Sequence, residues 1–348
     1  MSAQRVLFLT SGPNAPATRY RILPYLPRLR KLGLECDVRH SFPEKYQRLR
    51  LIGWRASHLL RGLMRRWDLW QARGAKYDAI VLEREIFDDP TWNMEAAFRL
   101  VTRRFLLDVD DGIFLRYPEK FEKIAGMADH ILAGNRLLAE ECRKFCPHVS
   151  VIPTAIDLDD YPCVFPRPVH RIPVIGWIGT AANLPYLKVA FPALKQLAEH
   201  RPFVLRIITS DEAEVHKLPF GTIPVEFRRW SAQSATQEIQ QFDIGIMPLP
   251  DAPWERHKCG FKLLQYMAAS LPAVASPVGA NREIVSSKVD GILAATDQEW
   301  HDSLNQLLGD ADWRTTLGRS ARCKIEKHYS IDGYLPEVAS IIMQNVLV

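Results

Sequence analysis

Short apolar runs at residues 6–10, 36–39, 77–82, 105–109, 130–133 and 149–152 alternate with amphipathic stretches, and the rhythm restarts at 174–178, 203–209, 225–227, 244–247, 273–276 and 291–294. Few folds accept such a pattern. Uniformly apolar strands must be covered on both faces, and helical crossovers supply the cover, so the chain reads as α/β with parallel sheets. Between the two runs stand Pro153, Pro162, Pro166, Pro168 and Pro173, a linker signal. At 348 residues the chain is long enough for two cores. The expectation is therefore domains over 1–165 and 166–330, with a final amphipathic helix in 331–348. Ligands of open α/β sheets bind outside the carboxyl ends of the strands, so both domains would present loops to a shared cleft.

Bulk properties exclude several classes. The net charge of +5 is too small to mark a nucleic-acid protein. The six cysteines form no C-x-x-C pair, and a chain this size needs no disulfides, which fits a reducing cytoplasm. No run approaches the roughly 20 apolar residues that span a bilayer, and no apolar leader precedes the first strand. Ten histidines lack H-x-x-x-H or H-E-x-x-H spacing, and Cys142 with Cys146 has no partner ligands, so no metal and no cofactor is expected. There is no G-x-S-x-G elbow of a serine hydrolase and no G-x-G-x-x-G dinucleotide loop.

Chemistry concentrates where His257, Lys258, Cys259 and Gly260 lead into the apolar helix that begins near Phe261-Lys262. The first turn of a helix leaves backbone N–H groups unpaired and carries partial positive charge, so a phosphate can dock there. A lysine at such an end is disfavoured by the macrodipole, which makes Lys262 a candidate ligand for an anion and not a surface charge. A second glycine turn, Gly279-Ala280-Asn281-Arg282-Glu283, follows the strand at 273–276 and opens a second helix. Two such loops suit the two ends of one nucleotide.

Residues 174 to 330 resemble the C-terminal domain of retaining glycosyltransferases of the GT-B fold, family 4 in particular. The resemblance rests on Gly176-Trp177-Ile178-Gly179-Thr180, on Asp243-Ile244-Gly245-Ile246-Met247-Pro248-Leu249, and on the stretch from Lys258 to Val285. In the first half, Arg19-Tyr20-Arg21, residues 105–114 and Ala133-Gly134-Asn135 look like a subgroup of the same superfamily. The resemblance implies two Rossmann-like domains facing each other across a cleft, with the C-terminal helix returning to the first. It implies a nucleotide-diphosphate sugar held by the second domain, a glycan or lipid-linked acceptor met by the first, and transfer with retention of anomeric configuration. It also implies donor contacts from Arg19, Gly179, Thr180, Trp230, His257, Lys258, Gly260, Phe261, Gln265, Gly279, Asn281 and Glu283.

The pattern departs from the family at telling points. Family members carry two glutamates eight positions apart, one on the donor sugar and one on the ribose; here those positions hold His257 and Gln265. Gln265 can still hydrogen-bond a ribose diol, and Glu255 stands near enough for a shifted loop to supply a carboxylate. Thr180 to Asn183 occupy the place of the family's arginine, so Lys258, Lys262 and Arg19 are left to balance the leaving diphosphate. These departures keep two rivals open, a sugar-nucleotide epimerase or hydrolase and a binding subunit without turnover.

Asp108-Val109-Asp110-Asp111-Gly112 closes the strand at 105–109. Carboxylates crowded at a strand end must raise one another's pKa or meet a cation, so Asp110 and Asp111 join Lys262 as catalytic candidates, as a general base or as partners of the ring cation. A turn with Asp111-Gly112 at its corner is the structural alternative. Asp-x-Asp after a strand also opens haloacid-dehalogenase-like phosphatases, although Gly112 or Ile113 stands where that motif has Thr or Val.

Residues 45–76 set nine lysines and arginines against one acid, Asp68, with leucines and tryptophans interleaved. An anionic membrane surface suits this stretch better than nucleic acid, for no nucleic-acid motif accompanies it. The competing expectation is a core helix whose arginines snorkel outward.

Overall fold

The computed structural model describes residues 4–47, 49, 53–163 and 170–344. Linker residues Pro166 and Pro168, and Arg48, Arg50, Leu51 and Ile52 of the basic stretch, lie outside the described residues. The chain divides into two compact units, one of Met1–Ala155, His257–Cys259 and Ile331–Val348, the other of Ile156–Arg256 and Gly260–Ser330.

Unit 1 is built on β1 (Arg5–Thr10), β2 (Glu35–His40), β3 (Ala79–Glu83), β4 (Arg104–Val109), β5 (His130–Ala133) and β6 (Val149–Val151), in the order β2-β1-β3-β4-β5-β6. All neighbours are parallel. β3 and β4 are buried along their whole length, as strands covered on both faces must be. The helix Ile331–Met343 covers one face: Val338, Ile341 and Ile342 pack with Val6, Phe8 and Leu106. Arg104 on β4 donates to the carbonyls of Ile341 and Gln344, each at 2.5 Å, satisfying acceptors that a helix end leaves open.

Unit 2 is built on β7 (Val174–Ile178), β8 (Val204–Thr209), β9 (Val225–Arg229), β10 (Ile244–Met247), β11 (Ala273–Ala275) and β12 (Ile292–Leu293), in the order β12-β11-β10-β7-β8-β9, again parallel throughout. The chain builds outward from β7 on one side and resumes on the other at β10. Ligands of such sheets bind at this reversal, beyond the carboxyl ends of the two central strands.

Gly176 on β7 and Gly245 on β10 stand opposite each other in register. A Cβ on Gly176 would lie 2.0 Å from the Phe242 ring, and one on Gly245 2.4 Å from the Tyr266 ring. The bare backbone therefore lets two aromatic rings settle onto the centre of the sheet. Further along, the Tyr266 hydroxyl accepts from the Ile178 N–H and donates to the Ile246 carbonyl, both at 3.2 Å. One buried phenol thus spans the β7–β10 reversal.

Every expected strand is present, with ends shifted by a few residues at most. The last is shorter than expected, Ile292–Leu293. The second glycine turn opens only a four-residue helix, Asn281–Ile284, because Val285 is already extended. The larger correction concerns the helix Gly53–Ala75. Arg61 and Arg65 point inward, not outward, and are almost fully buried, while Leu59, Leu63, Trp67 and Trp70 face outward. Arg65 donates to the carbonyls of Thr10 (2.6 Å) and Arg39 (3.0 Å), and Arg61 to those of Pro43, Glu44 and Gln47. Backbone acceptors at and beyond the ends of β1 and β2 need donors more than the core needs leucine.

Candidate functional site

In unit 2 the predicted residues Gly179 and Gly260 stand close to Lys262. Gly260, at φ +65, precedes the helix Phe261–Ala268 and gives it no side-chain cap. Only a residue without Cβ fits: at Gly260 a Cβ would lie 2.3 Å from Ile284. The Lys262 ammonium sits 5.5 Å from the centre of the buried Trp177 ring, a cation–π distance. A Cβ on Gly179 would come within 2.9 Å of Lys262 Cε, so the glycine after β7 makes room for the lysine to lie across the strand end. Lys262, Gly179 and Gly260 therefore converge beyond the carboxyl end of β7.

The second glycine turn packs beneath. Gly279, at φ +51, lies against the Arg256 carbonyl, 2.1 Å from where a Cβ would stand. Asn281 is buried, and its amide donates to the Ser276 carbonyl at 2.9 Å, while the Ser276 hydroxyl accepts from the Leu249 N–H at 2.9 Å. Asn281 thus holds the loop through its amide. Gln265 is buried and donates to the Tyr161 hydroxyl at 3.0 Å. Glu255 is buried too and accepts from the Tyr186 hydroxyl at 2.5 Å. Thr180 starts the 3-10 segment Ala181–Ala190 and accepts from the Asn183 amide at 3.1 Å. Glu283 is exposed, and Trp230 follows β9 with its N–H on the Thr209 carbonyl and packs on the cluster that holds Ile178, Leu263 and Leu264.

In unit 1 the acidic strand end of β4 meets two arginines. Arg21 grips Asp108 in a buried bidentate pair, at 2.6 and 2.8 Å, and also donates to the Ile152 carbonyl and the Thr154 hydroxyl. Arg84, at φ +55 just past β3, grips Asp110 through Nε and, at 2.8 Å, through Nη2, and lies 3.6 Å from Asp111. A non-glycine residue in the left-handed region marks a strained position of the kind that clusters at functional sites. Arg19 lies over the Tyr20 ring at 5.2 Å, in the π-turn Thr18–Ile22. Nothing in the sequence singles out Arg84.

The electrostatics separate the two candidate carboxylates. Burial pushes the pKa of Asp110 up, but Arg84 outweighs it, helped by Arg21, and holds the group below the ordinary carboxylate range. For Asp111 burial prevails over Arg84 and Lys258, and its pKa is raised. Arg84 thus holds Asp110 as an anion, while burial makes Asp111 the more basic carboxylate of the two.

His257, Lys258 and Cys259 belong to this unit and close over the acidic end. The Asn135 side chain caps the helix Arg136–Arg143 through Leu138 N–H at 2.9 Å and donates to the carbonyls of His257 (3.2 Å) and Lys258 (3.4 Å). The Cys259 thiol donates to the Asp110 carbonyl at 3.1 Å, and burial pushes its pKa up to about 12, so it stays a thiol. Gly134 is required beside it, since a Cβ there would fall 2.4 Å from the sulfur. The His257 ring meets Phe114 edge-on, at 4.8 Å. Among the described residues no group of three or more His, Cys, Asp or Glu could hold a metal ion.

Residues 172–310 match the sequence profile of the family described as "Glycosyl transferases group 1". No curated protein matches the chain. Solved structures of similar fold include HepE of Anabaena in complex with UDP and glucose, at 15% identity over 98% of this chain and 100% of that one, with a TM-score of 0.70. Sucrose-phosphate synthase from Thermosynechococcus elongatus is similar at 14% identity over 97% and 98%, with a TM-score of 0.73. The lipopolysaccharide outer core galactosyltransferase WaaB, in its apo form, is similar at 12% identity over 97% and 99%, with a TM-score of 0.62. The two parallel six-stranded sheets with their helices are the GT-B fold.

Proposed function

We propose that this chain, a glycosyltransferase by its group 1 domain and its GT-B fold, moves a sugar from a nucleoside-diphosphate sugar to a hydroxyl acceptor, with retention of anomeric configuration. One observation carries the donor class: Lys262 lies across the carboxyl end of β7, beside the uncapped helix start at Gly260 and over the place opened by Gly179. Cleavage of the anomeric C–O bond puts negative charge on the diphosphate. A fixed ammonium beside the positive end of a helix dipole stabilises that charge more in the transition state than in the ground state, which accelerates the reaction. Lys262 takes this task in place of a metal. Asp111 is the acceptor's proton acceptor, and Asp110, locked by Arg84, supplies a fixed negative charge. The acceptor is a glycan or a lipid-linked precursor, and the reaction is placed in the cytoplasm.

HepE was solved with UDP and with UDP-glucose, so uridine nucleotides come first among donors to be tried. A thermal-shift series with uridine, guanosine and adenosine diphosphates identifies the base, since a ligand at 100 times its Kd adds roughly 2.7 kcal/mol of stability. Turnover of the matching sugar nucleotide is then followed by product analysis. Lys262→Ala should cut turnover about 100-fold to 1,000-fold while the protein unfolds as before. Full turnover in that variant would remove Lys262 from the mechanism. Free sugar released with no dependence on acceptor would show a hydrolase instead.

A further inference from the structure

The helix Gly53–Ala75 of unit 1 is amphipathic in the wrong sense for a soluble surface. Leu59, Leu63, Trp67 and Trp70 follow one another at steps of four, four and three residues, so they form a single ridge. All four are open to solvent, at 68%, 61%, 51% and 62% exposure, with Met64 beside them. Trp67 and Trp70 stack on each other with centroids 4.8 Å apart, presenting two indoles as one plate. Single exposed apolar residues need no explanation, but a continuous ridge with paired tryptophans marks an interaction surface.

Charge identifies the partner. Arg55, Arg66 and Arg73 are exposed on the same side of the helix, while its one acid, Asp68, is buried against Arg65 at 3.2 Å. The outward face is therefore apolar and purely basic. Arg61 and Arg65, which would ordinarily join such a face, are spent on backbone carbonyls, so the outward apolar ridge is a consequence of how the helix is anchored. The same anchors tie it to the ends of β1 and β2, the edge of the sheet on which Asp110 and Asp111 follow β4.

We infer that this ridge is a docking surface for anionic lipid bilayers, with Leu63, Trp67 and Trp70 entering the headgroup boundary and Arg66 and Arg73 pairing with lipid phosphates. Indoles favour that boundary because one ring offers both an apolar body and a polar N–H. Attraction to an anionic leaflet adds to the burial and is screened by salt. Among the described residues no helix is long and apolar enough to cross a membrane, so the contact is peripheral. It deepens the proposed transfer reaction by bringing the acidic edge of unit 1 to where a lipid-linked acceptor lies. Vesicle binding needs no donor, so its failure would leave the transfer reading intact.

The full chain is sedimented with vesicles of phosphatidylcholine and with vesicles of phosphatidylcholine plus phosphatidylglycerol, at low and high salt. Binding is expected to the mixed vesicles, with loss at high salt. Leu63→Gln/Trp67→Gln/Trp70→Gln should weaken partitioning at least tenfold with an unchanged thermal midpoint, and Arg66→Gln/Arg73→Gln by about fivefold per arginine removed. If the triple variant folds poorly, Trp67→Gln alone takes its place. Lack of binding to mixed vesicles, equal binding to neutral ones, or undiminished binding by the variants overturns the inference. So does a dimer in sedimentation velocity that the triple variant converts to monomer, since the ridge would then be covered by a second copy.

Discussion

Arg84→Gln tests the acidic end of β4 most directly. Glutamine is shorter but polar, and it meets the same left-handed backbone demand at φ +55, so that strain cancels in the comparison. What changes is charge: Asp110 loses both Nε and Nη2 contacts, and Asp111 loses its cation at 3.6 Å. Removing one partner of a buried ion pair costs about 3–5 kcal/mol, because the other charge stays buried and unpaired. The arginine and Asp110 side chains retain 16% and 11% exposure, so the lower end of that range is expected. The sign of the pH dependence follows from Asp110, whose pKa is held below the ordinary carboxylate value in the parent. Stability from the pair is fully present above that ordinary value and is lost as pH falls through the depressed one. Without Arg84 burial raises the pKa, so acidification protonates Asp110 and relieves the variant. The gap between parent and variant should be widest at neutral pH and narrow on approach to about pH 4. Urea unfolding followed at several pH values measures it, and Arg84→Gln/Asp110→Asn should recover part of the loss, since a neutral pair leaves no buried charge. A variant within about 0.5 kcal/mol of the parent at neutral pH, or a gap that widens on acidification, would refute the reasoning.

Three further outcomes are expected. Tyr266→Phe should cost about 1–3 kcal/mol in urea unfolding by leaving the Ile178 N–H and Ile246 carbonyl unpaired at the β7–β10 reversal; no loss would mean that the phenol does not tie the strands. Burial, with Arg104 and His148, lowers the pKa of His130 from 6.5 to about 4, so the folded protein stays unprotonated there while the unfolded chain takes up a proton. Stability should then fall as pH drops from 6.5 toward 4, and His130→Gln should flatten that slope in melting temperatures. Asp111→Asn should lower kcat with little change in donor Kd by titration calorimetry; a loss of donor affinity at unchanged kcat would remove its role as proton acceptor.

The sheets were legible because apolar strands need cover on both faces, and that requirement is written locally, in runs such as those of β3 and β4. The neighbourhood of Lys262 was legible as well, since a glycine turn before an apolar helix has few uses. Arg84 was not. Nothing in Glu83-Arg84-Glu85 separates it from any loop arginine, and its role arises only when β3 and β4 pair and bring Asp110 to it. Tyr266 hid inside an apolar run, where its ring reads as core and its hydroxyl goes unnoticed. For the helix Gly53–Ala75 periodicity found two faces but not which one turns inward. That choice was made by carbonyls of Thr10, Arg39 and Pro43, residues distant in sequence, which require donors that leucine cannot supply.

Unit 1 is assembled from three separate lengths of chain, and its last helix supplies Val338, Ile341 and Ile342 to the core that contains Val6 and Phe8. During synthesis the ribosome therefore releases all of unit 2 before the last of the covering for the first sheet exists. The half begun first is finished last, and until then one apolar face of its sheet has only the helix Leu26–Lys31 and its neighbours as cover. A truncation at Ala155 would make that interval permanent, yielding an aggregation-prone fragment in place of an autonomous domain.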